Sequence, residues 1–130
     1  MTSLYDALLK KALEAASDTK HLAIGRNNAA ETPRIFRECF PGQKALVVAD
    51  TRTFRAAGEA TLSALKETGI ECDSPFIFDD PAIYAEYKYV DALDAALDQT
   101  AAIPVAVGSG TINDLTKLSA SHKNRRYISV

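Results

Sequence analysis

Gly108-Ser109-Gly110 stands between an apolar run, Val105-Ala106-Val107, and a helix-like stretch, Thr111-Ile112-Asn113-Asp114-Leu115-Thr116-Lys117. Two glycines flanking a serine let a backbone turn sharply and let a ligand approach the main chain. A helix starting there points its free N–H groups and the positive end of its dipole into the turn. Such a site suits a phosphate or pyrophosphate. The same residues also serve as an ordinary tight strand-to-helix turn with Thr111 as the helix cap. Spacing alone does not separate the two readings.

A second candidate is Asp50, which ends the apolar run Ala45-Leu46-Val47-Val48-Ala49. In parallel sheets, ligands gather beyond the carboxyl ends of the strands. A carboxylate there can take both hydroxyls of an adenine ribose and repels a 2′-phosphate. That favours NAD, with NADP as the alternative. The structural reading of Asp50 is a turn or N-cap aspartate beside Thr51. Asp114 and Lys117 lie at i and i+3 near a helix start, a spacing for a local salt bridge. The functional reading makes them supporting groups, with Asp114 near the ligand and Lys117 tying the helix down.

Other chemistry finds little support. His21 and His122 are isolated, and neither has a ligand-like partner at i+4. No G-x-S-x-G, H-E-x-x-H or G-x-x-x-x-G-K motif is present, and Asn113 stands where a full G-x-G-x-x-G would place its last glycine. Cys39 and Cys72 form no C-x-x-C pair, so no zinc site is expected. Reduced, partly buried thiols are the expectation.

The elements that must position these residues follow from periodicity. Ser3 to Ala16 carries apolar residues at helical spacing, and His21-Leu22-Ala23-Ile24-Gly25 reads as a short strand. Thr32-Pro33 looks like an N-cap followed by proline at the first helical position, with the helix ending before Pro41-Gly42. The unbroken apolar run ending at Asp50 predicts a strand covered on both faces. A helix over Phe54 to Thr68, closed by Gly69, and a strand near Ser74 to Phe78 come next. Asp79-Asp80-Pro81 reads as a turn and helix start, with Ile83, Tyr87, Val90, Leu93 and Leu97 on one stripe. Ile103 to Val107 is a strand with Pro104 at its beginning, then a helix to about Ser121 and a last strand at Tyr127 to Val130. Alternating strands and helices predict an α/β fold: a parallel, doubly wound, Rossmann-like sheet with helices on both faces. The expected organisation is an N-terminal helix over residues 1–20 and a dinucleotide-binding domain over 21–130.

The chain has 130 residues, 47% hydrophobic and 25% charged, a balance that suits one globular domain. A net charge of −2 gives no electrostatic case for a nucleic-acid partner. No apolar run approaches a membrane span, and the start lacks the pattern of a signal peptide, so a cytoplasmic protein is expected. The chain stops inside an apolar strand, which reads as a fragment of a longer protein. An incomplete domain exposes apolar surface, so a homo-oligomer is among the expectations.

The segment Pro104 to Lys117 closely resembles the nucleotide-binding segment of sn-glycerol-1-phosphate dehydrogenases, within the superfamily of iron-containing alcohol dehydrogenases, glycerol dehydrogenases and 3-dehydroquinate synthases. The general pattern is G-G-G-[ST]-x-x-D-x-[AT]-K, with Ser109 in place of the middle glycine. Val48-Ala49-Asp50-Thr51-Arg52-Thr53, Ala56-Ala57-Gly58 and Tyr84-Ala85-Glu86-Tyr87-Lys88 add to the likeness. The resemblance implies that Gly108, Ser109, Gly110, Thr111 and Ile112 bind the pyrophosphate of NAD(P) and that Asp50 binds the adenosine ribose. It also implies a second, mostly helical domain absent from this chain. That domain supplies an aspartate and two histidines to a divalent metal (zinc, iron or nickel) in the full-length parent. By this likeness the chain carries no catalytic or metal-binding residue, and it is inactive alone. Two other classes stay open: a stand-alone nucleotide-binding or regulatory module, and an interaction scaffold without nucleotide.

Overall fold

The computed structural model describes residues 28–79 and 87–130. The helix expected over Ser3–Ala16, the strand at His21–Gly25 and the helix start at Asp80-Pro81 with Ile83 lie outside these residues. In chain order the elements are α1 (Asn28–Cys39), β1 (Ala45–Asp50) and a helical run, α2, spanning 51–67. Then come β2 (Phe76–Phe78), α3 (Tyr87–Asp98), β3 (Ile103–Ala106), α4 (Gly110–His122) and β4 (Ile128–Ser129). The strands form one parallel sheet in the order β2-β1-β3-β4. The α/β, Rossmann-like architecture read from the alternation is the one observed.

Side-chain alternation along the strands explains the two layers. Ala45 and Val47 of β1, with Ile103, Val105 and Val107, face one cluster that includes Phe36 and Phe40 near α1 and Leu65 of α2. Leu46 and Val48, with Ala106, face the other, which includes Leu93 and Leu97 of α3 and Ile112 and Leu115 of α4. All six residues of β1 are buried, as an unbroken apolar run requires of a strand covered on both faces.

Two helix starts differ from the sequence expectation. α1 begins at Asn28, so Thr32 and Pro33 lie inside it rather than at its cap. Proline removes a helical N–H, yet Thr32 and Pro33 are both buried, and packing outweighs the lost hydrogen bond. Arg34 bridges Glu31 and Glu38 on the outer face, adding support at helical spacing. α2 starts at Thr51, three residues early. It consists of an α turn, Thr51–Thr53, a π segment, Phe54–Gly58, and an α-helix, Glu59–Glu67. Gly58 is required inside the π segment, where a Cβ would come within 2.8 Å of the Phe54 ring. Gly69 closes the run at φ 83°, a left-handed conformation that glycine adopts without strain.

Pro104 is the second residue of β3, a central strand, paired with Leu46 of β1. It is tolerated because pairing with β4 starts only at Val105, so no ladder bond on that side is lost. At the amino ends of the strands a polar network seals the sheet. Asp73 accepts from Lys44 Nζ at 3.1 Å and from the Thr100 hydroxyl at 2.5 Å, and Thr100 in turn accepts from the Ala102 N–H. Arg125 donates to the carbonyls of Leu97 and Ala102. Between α3 and α4, Asp94 accepts from the Ser119 hydroxyl and faces His122 Nδ1 at 2.9 Å. Burial would push the Asp94 carboxyl up, but the Ser119 and His122 hydrogen bonds and the Lys123 charge hold it below the usual range.

Candidate functional site

The strand order reverses between β1 and β3. From β1 the chain crosses to β2 on one side. From β2 it returns past β1 to β3 on the other. α2 and α4, which leave the carboxyl ends of these two adjacent strands, pack on opposite faces. Their first turns therefore leave on opposite faces, and in open α/β sheets the crevice at such a point is where ligands bind.

Register brings the two sequence candidates together at that crevice. Val48 of β1 pairs with Ala106 of β3, and Asp50 and Gly108 each follow two residues later. The Val107 N–H donates to the Val48 carbonyl at 2.8 Å, carrying the ladder up to the turn.

Asp50 is 9% exposed and caps α2. Its Oδ1 accepts from the Thr53 N–H at 2.7 Å, and the Thr53 hydroxyl accepts from the Asp50 N–H at 3.0 Å. This reciprocal box satisfies two N–H groups of the helix start. The N-cap reading of Asp50 is thus correct as local structure. It leaves Oδ2 without a partner among the described residues, so a ribose could still be met by one carboxylate oxygen.

Gly108, Ser109 and Gly110 are all exposed, and Ser109 occupies the N-cap position of α4. Thr111, the alternative cap in the sequence, lies within the helix because the helix begins one residue earlier, at Gly110. The Ser109 side chain makes no capping hydrogen bond. The first intrahelical bond at this end runs from Asn113 N–H to the Ser109 carbonyl at 3.1 Å. The N–H groups of Gly110, Thr111 and Ile112 precede that bond, and no side chain caps them.

The glycines supply room at the main chain rather than a left-handed conformation. Neither has a positive φ; among the described glycines only Gly42 and Gly69 do. Their role is clearance. A Cβ on Gly108 would lie 2.9 Å from Ile112 Cγ1 and 3.1 Å from the Thr53 hydroxyl. A Cβ on Gly110 would meet nothing within 4 Å, so that side of the turn is open. Ile112 itself is fully buried and packs beneath the turn rather than lining it.

Asp114 and Lys117 lie on the exposed side of α4, with no ion pair between them among the described residues. The salt bridge that their spacing allows is not formed. Two residues the sequence reading passed over stand out: the Asn113 Oδ1 and Thr116 Oγ1 atoms of α4 are buried without hydrogen-bond partners. Thr53 was also missed as a site residue, although the D-x-x-T spacing from Asp50 is a capping-box signal.

The open, donor-rich start of α4 fits a pyrophosphate. A metal finds no such fit. Among the described residues no three His, Cys, Asp or Glu side chains gather as a ligand set. Cys39 and Cys72 are free and partly buried. No helix among the described residues is long and apolar enough to cross a membrane.

Comparison with known proteins matches the chain to a family. A model of the iron-containing alcohol dehydrogenase family matches residues 23–130. A glycerol-1-phosphate dehydrogenase [NAD(P)+] of Methanothermobacter thermautotrophicus is 32% identical over 111 residues, 85% of this chain and 30% of the relative. An enzyme of the same name from Halalkalibacterium halodurans is 26% identical over 140 residues, 95% of this chain and 34% of the relative. The chain spans about a third of the length of the curated relatives it matches.

Proposed function

Because the chain belongs to the iron-containing alcohol dehydrogenase family, we propose that it is the dinucleotide-binding part of a dehydrogenase that interconverts glycerol-1-phosphate and dihydroxyacetone phosphate. The observation that carries the reading is the pairing of Asp50 with the Gly108-Ser109-Gly110 turn on adjacent strands at the reversal of strand order. NAD(P), when bound, supplies the acceptor for a hydride.

This chain's residues hold and orient that cofactor. The N–H groups of Gly110, Thr111 and Ile112 and the positive end of α4 face the pyrophosphate. Gly110 leaves the main chain accessible, and Ser109 offers a hydroxyl not engaged in capping. Asp50 Oδ2 accepts from the adenosine ribose and disfavours a 2′-phosphate by charge. Asp114 and Lys117 play supporting roles on the exposed side of the same helix. No metal-ligand set gathers among the described residues, and on this reading the chain alone binds cofactor and turns over no substrate.

Fluorescence titration with NADH and NADPH tests this. The expected result is NADH binding with NADPH weaker, and a preference reduced about tenfold in Asp50→Asn, the factor of one lost interaction of about 1.4 kcal/mol. No NADH binding at millimolar concentration would overturn the reading. So would turnover of glycerol-1-phosphate by the chain with NAD and a divalent metal.

A further inference from the structure

We infer that Thr53 is a positioning residue that fixes the ribose-binding carboxylate and the pyrophosphate turn at one set separation, and through it the preference for NAD over NADP. The inference rests on the cofactor reading of Asp50 and of the Gly108 turn.

Three contacts converge on Thr53. Its N–H donates to Asp50 Oδ1 at 2.7 Å, which fixes the carboxylate's rotation and turns the second oxygen away from the cap. Its hydroxyl accepts from the Asp50 N–H at 3.0 Å, which fixes the main chain at the end of β1. The same hydroxyl oxygen lies 3.1 Å from the point where a Cβ of Gly108 would stand, so it rests against the bare Cα of the other loop. One oxygen atom therefore bonds one half of the crevice and lies beside the other.

The covalent span between an adenosine ribose and its pyrophosphate is short. A ligand holding both loops has little tolerance for a change in their separation, as oriented binding requires. Asp50 is replaceable as a cap, because Asn or Ser would serve the helix as well. Thr53 is harder to replace. A residue without the hydroxyl frees the Asp50 N–H, and a larger one collides with Gly108. The side chain is partly buried and lies in the turn immediately before the π segment. Discrimination against a 2′-phosphate depends on where the carboxylate charge sits. Without the hydroxyl the Asp50 N–H is released, and the end of β1 that carries the carboxylate shifts while the Thr53 N–H still holds Oδ1, so the charge moves relative to the ribose and discrimination falls.

The test is titration of the full chain, with NADH and NADPH, as wild type, Thr53→Val and Thr53→Ser. Thr53→Val keeps the shape and removes the hydroxyl. It should weaken NADH by roughly fivefold, the factor of one ordinary protein hydrogen bond. NADPH should weaken less, so the NADH:NADPH ratio falls. Thr53→Ser restores the hydroxyl and should restore the ratio. Thr53→Ala removes the hydroxyl without bulk against Gly108 and carries the same test if Thr53→Val does not fold. A purely structural role would weaken both cofactors equally and leave the ratio at its wild-type value, and that result overturns the inference. If the wild-type chain binds NADH with no preference over NADPH, the ribose reading of Asp50 fails and this inference with it. If wild type prefers NADH and both hydroxyl-free variants keep that preference, the role of Thr53 alone is rejected.

Discussion

The two ends of the sheet are built on opposite plans. At the amino ends of the strands, Asp73 is held by Lys44 and Thr100, Thr100 also serves the Ala102 N–H, and Arg125 takes the Leu97 and Ala102 carbonyls. At the carboxyl ends, Asp50 keeps one oxygen unengaged, Ser109 caps α4 without its hydroxyl, and the first three N–H groups of α4 have no side-chain cap. Both ends are polar and both contain strand-to-helix or helix-to-strand turns. The difference is that one end has spent its hydrogen-bonding capacity internally and the other has kept it. Unmade bonds at a partly exposed position are tolerated because water fills them, and they become available to a ligand.

That contrast can be broken first at the glycines. Gly108→Ala forces a Cβ against buried Ile112 and against Thr53, and overpacking of this kind costs up to about 3 kcal/mol. The expected outcome is a lowered melting temperature together with loss of NADH binding, read by calorimetry and titration. Asp73→Ala attacks the sealed end. Losing a charged acceptor shared by two donors should cost about 2 kcal/mol, with NADH affinity unchanged. The pH dependence sharpens the point. The Thr100 hydrogen bond, then the Lys44 contact, hold the Asp73 carboxyl below its usual range. A depressed folded-state value gives stability that is present above about pH 4, the unfolded value, and is lost as pH falls through the folded one. Asp73→Asn should flatten that acid limb in a pH series of melts. Gly110→Ala has the smallest effect on the fold. Its Cβ meets nothing, so stability should hold within about 0.5 kcal/mol, while NADH binding weakens about tenfold. Equal melting losses in Gly108→Ala and Gly110→Ala would show that the turn is merely tight on both sides.

Much of this plan was legible in the sequence, for identifiable reasons. β1 declared itself because six consecutive buried positions leave an unbroken apolar run ending on a carboxylate. The turn at Gly108 was visible because glycine, serine and a helical stripe follow one another. The start of α1 was not, because Asn28-Ala29-Ala30-Glu31 carries no apolar periodicity and Pro33 mimics a first helical residue. What Gly108 does was also hidden. A sequence shows that glycine is present, but only neighbours from other segments, Thr53 here, show whether it supplies a conformation or a gap. The unpartnered oxygens of Asn113 and Thr116 are likewise properties of packing. The same limit applies to Asp50. Its cap role follows from local spacing, whereas its proposed cofactor role depends on a strand more than fifty residues away in the chain.

The π segment of α2 changes what a change in chain length means at this edge of the crevice. A π bulge accommodates one extra residue within an α-helix, and one residue corresponds to a rotation of about 100°. Phe54–Gly58 therefore absorbs a rotation that would otherwise turn Thr51–Thr53 about Thr61 and Leu65, which are buried in the core. Loss of a single codon between Phe54 and Gly58 would restore a regular α turn and leave the Asp50–Thr53 box, which lies wholly before it, intact. A one-residue indel can thus be absorbed at this corner of the molecule without re-aiming the residues on either side of it.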